Sequence, residues 1–175
     1  MPASPRYRSA MDDEMRLLLA VDESDNASRA VQYVGTLLRS TPDVMVTLFH
    51  VLKPMPRALL EHGGSENPDV EHALSARLRE EQKVWVKQEM EAECPILERA
   101  RETLVRIGFD RNRIALRFGH AGDIAQTILE EVRSGSHDTV VVGRTGSSGI
   151  TRIFGGGITD HLLREVRGKA LWIIE

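Results

Sequence analysis

Only one cysteine, Cys94, occurs among the 175 residues. No intramolecular disulfide and no multi-cysteine metal site can form, and a reducing compartment, the cytoplasm, is the expected setting. Long apolar runs are also missing. The longest, Leu17 to Val21 and Ala170 to Ile174, fall far below the roughly 20 residues a membrane helix needs, so no membrane span is expected. An excess of positive charge is absent too: the formal net charge is -3, which removes the usual driving force for binding a nucleic-acid backbone. No Pro/Gly/Ser-rich stretch marks a central hinge, so one domain is expected over residues 15–175. Residues 1–14 carry no apolar core of the secretory type and are expected to be a flexible tail. Two common phosphate signatures are missing as well. No Gly-x-x-x-x-Gly-Lys-Ser/Thr occurs, and no Gly-x-Gly-x-x-Gly follows the first strand, which argues against a P-loop NTPase and a dinucleotide dehydrogenase.

What is present is a composition able to bury a core, 41% hydrophobic and 28% charged. Arg16 to Val21 reads as a strand buried on both faces, and Ser24 or Asp25 caps a helix with Ala27, Ala30, Val31, Val34 and Leu37/Leu38 on one side. Val44 to Val51 reads as a second buried strand. Asp69 to Ile107 has a helical pattern, with Leu74, Leu78, Val84, Met90, Leu97, Leu104 and Ile107 as inward candidates and Pro95 expected to kink or divide it. Arg113 to Phe118 alternates as a strand near a sheet edge. Asp123 caps a helix bearing Ile124, Ile128, Leu129 and Val132, Thr139 to Gly143 is a fourth strand, Ile158 to Val166 a last helix, and Ala170 to Ile174 a fifth strand. Strands alternating with helices, without hairpin signals, imply an α/β fold: an open five-stranded parallel sheet with helices on both faces, Rossmann-like.

In such sheets the ligand lies beyond the carboxyl ends of the strands, which directs attention to Asp22, to the residues from Val51 to Pro54, and to Gly143 through Gly157. Asp22, directly after an apolar strand, has two readings: an acceptor for a ribose hydroxyl or Mg²⁺, or a cap for the first helical turn. The stretch from Gly143 to Thr159 leaves a buried strand and enters a helix. Its glycines permit close approach of backbone to polyphosphate, its helix start supplies free N–H groups, and Arg144 and Arg152 supply charge; a solvated Gly/Ser loop is the plainer alternative. Cys94 reads as a structural thiol and His50 as a hydrogen-bonded core histidine, while His62 and His72 lack partners for a metal site.

Gly143, Gly146 and Gly156 are spaced as Gly-x2-Gly-x9-Gly, and this resembles the signature of ATP-binding universal stress proteins, in which Ser or Thr follows the third glycine. The resemblance extends from Arg16 to Glu175 and includes Ala20-Val21-Asp22-Glu23-Ser24 and Leu48-Phe49-His50-Val51. It implies ATP, ADP or AMP as ligand, with Asp22 on the side of the ribose or of an accompanying Mg²⁺. By the same resemblance adenine would contact the backbone around Val51, and phosphate would be wrapped by Gly143, Gly146, Gly156, Gly157, Ile158 and Thr159, to which Arg144 would add its charge. Gly157 departs from the pattern, since it stands where a hydroxyl is usual. The family implies a regulatory or protective stress-response role with little or no turnover. The alternatives are a slow Mg²⁺-dependent ATP hydrolase and a nucleotide-free interaction module. A homodimer through the apolar strand 170–174 is expected in each case.

Overall fold

A computed structural model describes residues 14–60, 67–120, 122–144 and 157–175. Five strands, β1 (Met15–Ala20), β2 (Val44–Leu52), β3 (Ile114–His120), β4 (Thr139–Gly143) and β5 (Ala170–Ile174), alternate with four helices, α1 (Asp25–Leu38), α2 (Pro68–Ile107), α3 (Ile124–Ser134) and α4 (Ile158–Glu165). All strand pairings are parallel and the spatial order is β3-β2-β1-β4-β5. The alternating elements thus form the open, doubly wound sheet expected, with β3 and β5 at its two edges.

The central strands are apolar on both faces because both faces are covered. Leu17, Leu18 and Leu19 of β1 are all inaccessible to solvent. Leu17 and Leu19 pack with Val46, Leu48 and Val141 beneath Ala30, Val31 and Val34 of α1 and Ile96, Leu97 and Leu104 of α2. Leu18 joins Phe49, Val140 and Val142 beneath Ile128, Leu129 and Val132 of α3 and Leu162 of α4. One face therefore carries α1 and α2, the other α3 and α4.

Helix ends follow their caps. The Ser24 hydroxyl accepts from the Ala27 N–H to open α1, and the Asp123 carboxylate accepts from the Gln126 N–H to open α3. Gly108, with φ of 105°, closes α2 in a left-handed conformation that glycine adopts without steric cost.

Two expectations about α2 need correction. The helix runs unbroken for 40 residues with Pro95 inside it, so the proline does not divide it. Proline forfeits only its own bond to the carbonyl four residues earlier, and both Pro95 and Glu91 are exposed, where water can serve that carbonyl. The turns after Pro95 are held by the buried Ile96, Leu97, Ala100 and Leu104. Leu74, Val84 and Met90, in contrast, are exposed rather than inward. Within α2, burial begins only at Ile96, and the half before Pro95 overhangs the sheet.

Candidate functional site

From β1 the chain crosses by α1 to β2 on one side; from β4 it crosses by α4 to β5 on the other, over the opposite face. Such a reversal between adjacent strands leaves a crevice at their carboxyl ends, the usual ligand position in open α/β sheets. Asp22 and Gly143 stand at the two lips.

Asp22 is half-buried, and its Oδ1 accepts from the Ser24 backbone N–H at 2.9 Å and from the Ser24 hydroxyl at 2.5 Å. It thereby fixes the turn that leads into α1, while the cap of that helix is Ser24 and not Asp22. Gly143 brings the two lips together. A Cβ built there would lie 2.8 Å from the Asn26 carbonyl carbon and 2.9 Å from the Ala27 nitrogen, so β4 meets the first turn of α1 backbone to backbone. Any side chain at 143 would push α1 away.

On the β4 side, Gly157 is the N-cap of α4 and, having no side chain, gives the first-turn N–H groups no cap of its own. Those donors and the helix dipole suit an anion, an effect that Asp160 in the same turn partly offsets. Ile158 packs against the α3–α4 side of the core. The Thr159 hydroxyl donates to the Arg144 carbonyl at 3.2 Å, which ties the start of α4 to the end of β4. The Arg144 N–H bonds to the Ile174 carbonyl at 2.8 Å, and its guanidinium pairs with Glu175 at the surface. Gly146 and Gly156 lie outside the described residues.

Val51 sits on β2, paired in register with Gly119, its side chain against the α3–α4 part of the core. Next to it, His50 is buried and its Nδ1–H donates to the Val21 carbonyl at 2.8 Å. The histidine is thus the core residue expected, and it also clamps β2 to the peptide just before Asp22. Its Nε2 lies 3.7 Å from Glu93 of α2, its ring stands edge-on to Phe118, and Lys53 bridges Glu93 and Glu89. The hydrogen bond from Lys53 to Glu93, reinforced by the charges of Glu93 and Glu89, raises the Lys53 pKa above its ordinary value. Sequence reasoning found His50 but not this network, because Glu93 is one of many acids on a charge-rich helix and no spacing marks it.

Asp22 thus follows β1, Gly143 and Arg144 end β4, and Gly157, Ile158 and Thr159 open α4, with Val51 on the neighbouring β2. Among the described residues no group of three or more His, Cys, Asp or Glu side chains can hold a metal. Mg²⁺ commonly binds through one or two carboxylates plus substrate phosphates, and a single carboxylate such as Asp22 fits only that shared mode. No helix among the described residues is long and apolar enough to cross a membrane.

A parallel sheet of order β3-β2-β1-β4-β5 with two helices on each face defines a small, doubly wound α/β domain. The universal stress protein family model matches residues 15–171, and the chain belongs to that family. No curated protein matches the sequence significantly. Among solved structures, a universal stress protein in complex with cAMP is 18% identical with a TM-score of 0.62, the match covering 92% of this chain and 97% of that one. The universal stress protein UspA from Lactobacillus plantarum is 16% identical, with a TM-score of 0.59 and coverage of 93% and 98%. A universal stress protein from Archaeoglobus fulgidus in complex with dAMP is 16% identical, with a TM-score of 0.55 and coverage of 92% and 98%. At these identities the likeness is one of fold.

Proposed function

We propose that this chain binds an adenine nucleotide, ATP or its relatives ADP and AMP, in the crevice between β1 and β4, and that binding rather than turnover is its function. The observation that carries the reading is the convergence, at the switch point, of Asp22, the glycine lip at 143 and the uncapped start of α4. Family membership and the cAMP and dAMP complexes of two proteins with this fold support adenine as the base.

In this reading phosphate oxygens accept from the first-turn N–H groups of α4, from Gly157 to Thr159, and the glycine stretch containing Gly146 and Gly156 wraps them. The ribose lies toward Asp22, and adenine lies along the backbone at Val51. Arg144 must leave Glu175 to reach phosphate, an exchange between two exposed pairings that costs little. Mg²⁺, where it takes part, arrives with the phosphates and meets Asp22. Among the described residues no crevice side chain is arranged as a general base: Asp22 Oδ1 accepts from Ser24 and His50 donates to Val21. Ligand binding then acts by stabilising the folded form and biasing its contacts with partners, a regulatory or protective stress-response role.

The test is calorimetric titration of nucleotide-free protein with ATP, ADP and AMP, with and without Mg²⁺, together with a phosphate-release assay. One site per chain and negligible release are expected. Sustained Mg²⁺-dependent release would favour the slow-hydrolase reading, and absence of binding by all three nucleotides would favour the interaction module.

A further inference from the structure

Beyond the crevice, the overhanging half of α2 forms one wall of an open groove of about 920 Å³, within the range of about 300–1,000 Å³ usual for small-molecule sites. Its floor is apolar and comes from three places: Val86, Met90 and Cys94 of α2, Phe118 of β3, and Met55 after β2. Phe118 and Cys94 are half-buried, and Met90 remains 38% exposed. Methionines at Met55 and Met90 can adapt their shape to an apolar occupant.

The rim is charged at one end. Arg79, Lys83 and Lys87 line the groove at four-residue spacing, one above another on the same face of α2. Among the described residues of the lining, Glu91 is the only acidic one. The pairs Lys87–Glu91 at 3.9 Å and Lys83–Glu80 at 3.6 Å are exposed and weak, so the cations remain available to an incoming anion. A cluster of three cations is notable on a chain of net charge -3. The amide of Gln82, also in the lining, is already donated to the Leu59 carbonyl at 2.6 Å, leaving few directional polar contacts for a ligand's body.

The groove is therefore polarised along its length, with cations over 79–87 and an apolar floor toward Cys94 and Phe118. From Lys83, the middle cation, to Cys94 the helix rises about 16 Å, room for most of an extended acyl chain. We infer that this groove binds one long-chain fatty acid as the free monomer, its carboxylate at Arg79, Lys83 and Lys87 and its chain along Val86, Met90, Cys94 and Phe118. None of the lining residues belongs to the nucleotide crevice, so the inference does not depend on nucleotide binding.

Cys94 makes the test direct, since it is the only cysteine and lies on the floor. The full chain is titrated with palmitate below its micelle concentration by calorimetry, and the rate of Cys94 alkylation by a soluble maleimide is followed in parallel. One palmitate per chain should bind and slow the alkylation. Each methylene added along a saturated series from octanoate should tighten binding about fourfold. Hexadecanol, with the same chain and no charge, should bind at least tenfold more weakly. Lys83→Glu with Lys87→Glu should weaken palmitate binding and flatten its salt dependence, and Val86→Glu with Met90→Glu should abolish it while the far-ultraviolet circular dichroism stays unchanged. The inference is overturned if palmitate gives neither heat nor protection, if hexadecanol protects equally, or if only anionic phospholipid vesicles bind, which would indicate a membrane surface. Protection of Cys94 by ATP alone would likewise overturn it, by making the groove part of the nucleotide site.

Discussion

A hydroxyl at position 157 has room to exist. Among the described residues no heavy atom lies within 4 Å of a Cβ built on Gly157, and its φ of -64° is one that any residue adopts. Gly157→Ser should therefore fold normally, supply α4 with a side-chain cap, and add a phosphate donor. We expect ATP affinity to rise by up to about tenfold, the worth of one hydrogen bond, with stability changing by only a few tenths of a kcal/mol. Calorimetry and urea denaturation measure the two effects, and unchanged or weaker affinity would remove phosphate from the start of α4. Gly143 is the opposite case. There a methyl group would strike the backbone of Asn26 and Ala27, so Gly143→Ala should cost about 1–3 kcal/mol in urea denaturation, the usual range for overpacking. A neutral result would show that α1 is free to shift. Lys53 adds a pH effect whose sign is fixed: its raised pKa means that the link to Glu93 stabilises the fold while the ammonium is charged and is lost only as pH rises through that raised value. Lys53→Met should therefore leave the pH dependence of stability between pH 6 and 8 unchanged, as followed by thermal melts across that window.

At the scale of elements, α2 is the outlier. Its 40 residues extend about 60 Å, whereas the nine residues of β2 reach about 30 Å, so much of the helix must overhang. Amides before Pro95 are expected to exchange with solvent faster than those from Ile96 to Ile107, whose side chains enter the core. Equal protection along the helix would mean that a partner or ligand covers the overhang. This was the part of the fold least legible in the sequence. Leu74, Val84 and Met90 recur with helical spacing just as Leu97 and Leu104 do, and periodicity cannot report where a helix runs past its sheet. The strands were legible because Leu17 to Leu19 and Val140 to Val142 are apolar on both faces, a pattern only a covered sheet produces. In the crevice, Asp22, Gly143 and Thr159 could be placed because each adjoins a strand end or a helix start. The Arg144–Glu175 pair could not, since it exists only once β4 and β5 are aligned in register.

At the scale of the whole molecule, the two sheet edges differ in character. The β3 edge carries Arg117, which pairs with Glu131, and has Arg113 just before it, charges that discourage further strand pairing. The β5 edge, Ala-Leu-Trp-Ile-Ile, has only half-buried apolar side chains beyond Ala170. A homodimer through β5 is therefore proposed, and sedimentation equilibrium should return twice the mass of 19.6 kDa; a monomer at high concentration would contradict it. In such a dimer the Arg144–Glu175 pair would lie near the interface, coupling nucleotide occupancy to assembly. The central claim remains the crevice itself, and the most direct measurement is calorimetric titration of nucleotide-free protein with ATP beside the Gly157→Ser variant. Saturable binding of one ATP per chain, tighter in the variant, is expected. No heat of binding in either protein, with both shown to be folded, would contradict it.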